Sequence, residues 1–223
     1  MLACFGDSIT EGKPGVSYVK YLEGINFGLG GDTVLNLTKR LEVLNFEKYD
    51  ELVIEIGTND ILLPFLRSYS KMWERSIESI IKSGRVPSET KDEFENNYEK
   101  MINKVKHKKV YVVSIPMIGE ILNSDLNKKV DEYNEIIIKI CKRYNVKYID
   151  FNGWQKEVVK NSNTFISKNP FGMVLDSIFV RTPLISKITS KMRNLVTTID
   201  GVHLNDYGAY NLAKMIIQIH NSY

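Results

Sequence analysis

Short apolar runs alternate along this chain with stretches in which apolar residues recur every three or four positions. That is the pattern of a parallel sheet whose strands are joined by helices. Five runs read as strands: Leu2–Phe5, Ile25–Phe27, Glu51–Ile56, Val110–Ile115 and Val146–Ile149. Helical spacing is found over Thr33–Leu44 (Val34, Leu37, Leu41, Leu44), over Lys91–Val105, and over Leu126–Tyr144 (Val130, Tyr133, Ile136, Ile137, Ile140). It returns over Asp206–Ile219, with Leu212, Met215, Ile216 and Ile219 on one side. The fold class expected is α/β: a three-layer α/β/α, flavodoxin-like arrangement with a five-stranded parallel sheet and helices on both faces.

Two segments exceed what this skeleton needs. The first, about 61–90, holds a helical pattern (Trp73, Ile77, Ile80, Ile81) ending at Gly84. The second, about 153–199, places Thr182 and Pro183 as N-cap and first residue of a helix. Leu184, Ile185, Ile188, Met192, Leu195 and Val196 then form an apolar stripe, opposed by Lys187, Thr189, Lys191 and Arg193. At 223 residues the whole is expected to be one domain, 1–223, carrying these two helical insertions.

Composition narrows the class. An apolar share of 43% and a charged share of 26% are those of an ordinary globular protein. No apolar run approaches the ~20 residues of a membrane span. The start of the chain carries no basic region before its first turn, so it is not read as a signal peptide. Cys4 and Cys141 fall in a strand and a helix and read as reduced, buried thiols; the cytoplasm is the expected location. A net charge of +3 is too small to imply nucleic acid, but its placement is uneven. Residues 151–199 carry seven Lys/Arg against Glu157 and Asp176, leaving +5 there and −2 over the rest.

Four blocks carry residue types suited to chemistry. Gly6-Asp7-Ser8-Ile9-Thr10-Glu11-Gly12 follows the first strand, where open α/β sheets collect their functional groups. Asn26-Phe27-Gly28-Leu29-Gly30-Gly31-Asp32-Thr33 follows the second, and its glycines let backbone N–H groups approach a ligand. It lacks the spacing of a dinucleotide fingerprint. Gly57-Thr58-Asn59-Asp60 follows the third and offers a neutral amide donor for a developing oxyanion. Asp200 and His203, three apart before the last helix, allow the carboxylate to reach Nδ1 and leave Nε2 free to take a proton from a serine. Each block alone also reads as an ordinary turn with a helix cap. Of the other histidines, His107 lies in a lysine-rich run and His220 near the end of the sequence. No Cys/His cluster points to a metal, and no cofactor is expected.

Taken together, in this order and at these positions, the blocks resemble the SGNH or GDSL-type hydrolase family of esterases and lipases. The resemblance rests on Gly6-Asp7-Ser8-Ile9, Asn26-x-Gly28-x-x-Gly31-Asp32-Thr33, Gly57-x-Asn59-Asp60 and Asp200-x-x-His203. Ile9 stands where the family's name has leucine. The family implies Ser8 as nucleophile, His203 as general base and then acid, and Asp200 orienting His203. The N–H groups of Ser8 and Gly31, with the Asn59 amide, would form the oxyanion hole. Asp7 is expected to stabilise the turn. The implied function is a serine hydrolase of carboxylic esters or thioesters, lipase-, esterase- or thioesterase-like, acting through an acyl-enzyme on Ser8. A carbohydrate or small-ester deacetylase, acyl transfer to an alcohol, and a silent flavodoxin-like binding module are the alternatives.

Both insertions abut these blocks, so a cap over the site is expected, with Trp73, Phe171, Phe179, Leu184 and Ile188 shaping an acyl pocket. Packing of the stripes on each other or on the core is the plainer reading. The basic charge of 153–199 would suit an anionic membrane surface or an acidic carrier.

Overall fold

The computed structural model describes residues 1–159 and 170–221. Its strands are β1 (Leu2–Gly6), β2 (Gly24–Gly28), β3 (Glu51–Glu55), β4 (Lys109–Val113) and β5 (Lys147–Ile149). They form one parallel sheet in the order β2-β1-β3-β4-β5, the flavodoxin-like order. Register aligns Gly6 with Gly28 on one side and with Glu55 on the other, so three strands end together. Ten helices occur among the described residues: α1 (Ser8–Glu11), α2 (Val34–Val43), α3 (Thr58–Tyr69), α4 (Lys71–Lys82) and α5 (Lys91–Val105), then α6 (Asp125–Tyr144), α7 (Phe151–Val158), α8 (Pro170–Phe179), α9 (Pro183–Met192) and α10 (Asp206–His220).

Alternation along each strand divides the core into two layers. Ala3, Phe5, Leu52, Ile54, Val110 and Val112 pack under α2, α5 and α6. Cys4, Val53, Tyr111, Val113 and Ile149 face α7, α10 and a short 3-10 turn at Tyr18–Tyr21. The expected three-layer α/β/α class is the one observed.

Helix α3 departs from the sequence reading, which kept 57–60 in a loop and stopped no helix at Tyr69. The helix runs through Pro64, whose ring removes one backbone donor. Burial of Ile61, Leu62, Leu63 and Leu66 outweighs that loss. Helix α9 begins as expected, with Thr182 accepting from Ile185 N and Pro183 in the first turn.

Candidate active site

The first strand ends under a glycine because nothing larger fits there. A Cβ on Gly6 would lie 2.1 Å from Thr10 Oγ1 and 2.2 Å from Glu55 O. Asp7 then caps α1, its Oδ1 accepting from Ile9 N at 2.9 Å. Ser8 therefore opens a helix at the sheet's carboxyl edge, its N–H at the helix's positive end.

His203 reaches this serine from the far end of the chain: Nε2 lies 3.0 Å from Ser8 Oγ. Asp200 Oδ2 lies 2.7 Å from His203 Nδ1, while Asp200 Oδ1 accepts from the backbone of Val202 (3.0 Å) and His203 (2.8 Å). That network selects the tautomer with the proton on Nδ1 and leaves Nε2 to accept from the serine hydroxyl. Burial alone would push His203 towards neutrality, but the charge and hydrogen bond of Asp200 outweigh it and hold its pKa above the usual value. Asp200 shows the reverse balance: burial raises it, His203 and the two N–H donors more than offset that, and its pKa ends below the usual carboxylate value.

The loop bearing both residues is pinned from below by a residue that the sequence did not single out. Glu120, buried, accepts from Val196 N, Thr197 N and Thr198 N and from both threonine hydroxyls, at 2.6–2.9 Å. Asn205 Nδ2 ties the same segment through Val196 O at 2.9 Å. Ile199 N donates to His203 O at 2.8 Å, closing the turn that presents the imidazole.

Opposite His203 lie the expected donors. The N–H groups of Ser8 and Gly31 donate to no acceptor among the described residues. Gly31 takes φ +79°, a backbone region open mainly to glycine, and Arg85 packs against it so closely that a Cβ would lie 2.8 Å from Arg85 Cδ. Arg85 Nε also donates to Gly30 O at 3.0 Å, and Gly30 N donates to Glu11 Oε2 at 2.8 Å, so the loop is clamped on both sides. Asn59 Nδ2 donates to Asp32 O at 2.9 Å and to Asp7 Oδ2 at 3.3 Å. The second bond is the longer, and an oxyanion would have to share or replace it. Asp32 is itself held by Arg40 at 2.6 Å.

These groups open on a cavity of about 260 Å³. Ser8, His203, Gly30, Gly31 and Asn59 form its polar end, with Lys13 and Arg85 contributing positive charge. Its wall is apolar: Leu62, Leu63 and Leu66 from α3, with Trp73, Ile77 and Ile80 from α4. Hollows of about 470 and 500 Å³ lie elsewhere, but neither sets a hydroxyl against an imidazole. Of the five residues expected to shape an acyl pocket, Trp73 lines this cavity. Phe171, Phe179, Leu184 and Ile188 do not: they are 69%, 63%, 68% and 51% exposed, on the outer side of α8 and α9. Helix α9 sits the other way round from the sequence reading. Ser186 and Ser190 are buried, each returning its hydroxyl to a backbone carbonyl of its own helix, and the apolar stripe faces out. The leucines of α3 were missed because a helix through Pro64 was not expected.

Among curated protein sequences none matches the chain. Solved structures resemble it over nearly their full length. An acetyl xylan esterase, AlAXEase, superposes with a TM-score of 0.64 at 21% identity, covering 98% of this chain and 99% of its own. An acetylxylan esterase from Geobacillus stearothermophilus gives 0.63 at 20% identity, covering 97% and 92%. A member of the lipolytic protein G-D-S-L family from Veillonella parvula gives 0.60 at 18%, covering 100% and 98%. At these identities the likeness establishes a shared fold. The family profile goes further, because it matches residues 4–209 and spans all four blocks. The chain belongs to the GDSL-like lipase/acylhydrolase family and is a serine hydrolase of ester bonds.

Proposed function

We propose that Ser8, His203 and Asp200 cleave carboxylic esters or thioesters through an acyl-enzyme, and that the acyl group enters the cavity between α3 and α4. One observation carries the reading: the 3.0 Å and 2.7 Å contacts joining Ser8, His203 and Asp200 lie beside a cavity whose wall from α3 and α4 is apolar. Ser8 Oγ attacks the carbonyl carbon as its proton passes to His203 Nε2. The oxyanion is met by the N–H groups of Ser8 and Gly31, joined by Asn59 Nδ2 as it gives up its longer bond to Asp7. The imidazolium, stabilised by Asp200, returns the proton to the leaving alcohol or thiol. Water, activated by the same nitrogen, then attacks the acyl-serine and frees Ser8.

The two neighbours named as acetyl xylan esterases support a second reading, removal of acetyl groups from a carbohydrate. The aliphatic wall favours the first, since it offers a sugar few hydrogen-bond partners. A hydrolysis screen over acyl length and leaving group, run beside Ser8→Ala, tests both. Ser8→Ala should lose roughly 10⁴–10⁶ in kcat and all labelling by a fluorophosphonate. Full turnover in that variant would end the proposal, and a sharp preference for acetylated xylo-oligosaccharides would decide for the second reading.

Three wider expectations are carried in the same spirit. The chain acts as a single SGNH-hydrolase-like domain, with α4 and α8 as its cap over Ser8. The burial of both thiols, each pushed up to about 12 by desolvation, supports a reducing, cytoplasmic setting. The segment running into Asp200 meets an anionic surface.

A further inference from the structure

Helix α8, like α9, carries apolar side chains on its outer side. Phe171, Ile178, Phe179, Leu184, Ile188 and Met192 are all more than half exposed, on two helices joined by three residues. The sides of the two helices that turn inward carry polar and ionic groups instead. Ser186 and Ser190 face inward, and Asp176 is buried in a two-pronged ion pair with Arg193 at 2.6 and 2.9 Å. An apolar surface of this extent marks an interaction site rather than ordinary exposed side chains.

We propose that the outer face of α8 and α9 docks on a lipid bilayer rich in anionic headgroups, with the helices lying in the plane of the interface. The proposal rests on the reading above only in taking the segment before Asp200 as the contact. Charge chooses the occupant. Arg181, Lys187 and Lys191 are exposed at the edges of the apolar face, whereas the single acid between Pro170 and Ile199 is the buried Asp176. A second copy of the chain packed face to face would bring these cations together without a carboxylate to meet them. A protein partner is disfavoured by composition as well. The face is built from Leu, Ile, Val, Phe and Met, with no Trp or Tyr between Pro170 and Asn194 to act as an anchor. Aliphatic groups flanked by lysines are the make-up of helices that sink a few ångströms into headgroups. The site is placed to profit: Ser177 of α8 lines the cavity beside Ser8, and Val180 O accepts from Gly15 N at 3.0 Å next to Pro14 in the same wall. Docking would bring the cavity mouth to the surface from which an acyl ester leaves the membrane.

Sedimentation of the full chain with vesicles tests this. Phosphatidylcholine containing about 30% phosphatidylserine should carry the protein down, and pure phosphatidylcholine should bind it about tenfold or more weakly. Leu184→Gln with Ile188→Gln, both at exposed positions, should weaken vesicle binding about tenfold or more. Lys187→Gln and Lys191→Gln should each weaken it roughly fivefold. All three variants should hydrolyse a water-soluble p-nitrophenyl ester like the parent, which separates loss of docking from loss of chemistry. Loss of turnover in Ser8→Ala with vesicle binding intact would leave both readings standing. A chain that stays in solution with both vesicle types overturns the proposal, as does binding that the variants do not alter. Light scattering showing a dimer that Leu184→Gln with Ile188→Gln dissolves into monomers would assign the face to a second copy and overturn it too.

Discussion

Asp7 and Glu55 bring two carboxyl groups into one fully buried site directly behind Ser8. Glu55 Oε2 accepts from Thr10 Oγ1 at 3.1 Å, and Oε1 meets no N–H or hydroxyl among the described residues, so a proton on Glu55 would bridge it to Asp7. Burial pushes Asp7 up to about 7 and Glu55 well above its ordinary value, with the Asp7 charge adding to the latter. Because Asp7 also caps α1 and accepts from Asn59, the acid pair supports both the nucleophile and an oxyanion donor. Glu55→Gln keeps a neutral donor of the same shape and should change stability by less than about 1 kcal/mol. Glu55→Leu leaves Asp7 facing hydrocarbon and should cost about 3 kcal/mol or more. Urea unfolding of the two variants measures the difference; equal values would remove the shared proton from the account.

The same burial sets a pH dependence of stability. Asp7, near 7, and Asp60, pushed by burial up to about 6, bind a proton more tightly when folded than the unfolded chain does near pH 4. Their contribution is complete at low pH and is lost as pH rises through the folded values. Thermal midpoints should therefore decline between about pH 4 and 7 on their account, and Asp60→Asn should flatten part of that slope. An Asp60→Asn chain with an unchanged slope would count against it.

Activity should move the opposite way with pH. The base form of His203 is neutral, and Asp200 holds its pKa above the usual 6.5 in spite of burial. The rising limb of kcat/KM should lie on the alkaline side of 6.5. Asp200→Asn should shift that limb towards acid, because burial is then opposed only by the weaker pull of Asp7 and Asp176, and should cut kcat by about 10⁴. A limb that stays in place in Asp200→Asn would mean that another group governs it.

Much of this was legible in the sequence, and for identifiable reasons. The strands declare themselves as short apolar runs, the first three ending at or near a glycine, and α5 occupies the residues Lys91–Val105 that its spacing suggests. Ser8, His203 and Asp200 stood out only in combination with the other blocks, since each block alone reads as an ordinary turn with a helix cap. Helix α9 was misread since periodicity finds an apolar face without saying which way it turns. Contacts of Ser186 with Asp206 N and of Ser190 with Thr198 O and Asn205 Nδ2 settle that orientation, and their partners lie outside the helix whose period was read. Lys160 and Lys168, part of the basic segment, lie outside the described residues. Glu120 and Arg85 were invisible for a different reason: each meets its partners from more than fifty residues away.

Glu120 gives the cleanest test of such a hidden support. Five donors from 196–198 converge on its carboxylate. Glu120→Ala strands them in a buried site and should cost about 3 kcal/mol or more, with kcat falling more than KM rises as Asp200 and His203 lose their footing. Glu120→Gln should fall between, since one of its two ends is a donor facing donors. Unchanged kcat in Glu120→Ala, with folding intact, would show that the loop holds its shape without this residue.

The cavity makes a prediction about substrate length. The cavity sets Ser8 beside a wall of Leu62, Leu63, Leu66, Trp73, Ile77 and Ile80, so an acyl chain of medium length, well beyond acetyl, should fill it best. Each methylene moved from water onto the leucine and isoleucine wall should favour binding by up to about 0.8 kcal/mol until the end is reached. A series of p-nitrophenyl esters from acetyl to decanoyl should then show kcat/KM rising to a maximum near that length and falling beyond it. Ile80 is only partly buried and lines the wall, so Ile80→Trp can intrude on the cavity without disturbing the core. It should move the maximum to shorter chains by two or three carbons while leaving the acetyl ester within a few-fold of its original rate. If the maximum already stands at acetyl, or does not move when Ile80 is enlarged, the acyl chain lies somewhere other than between α3 and α4.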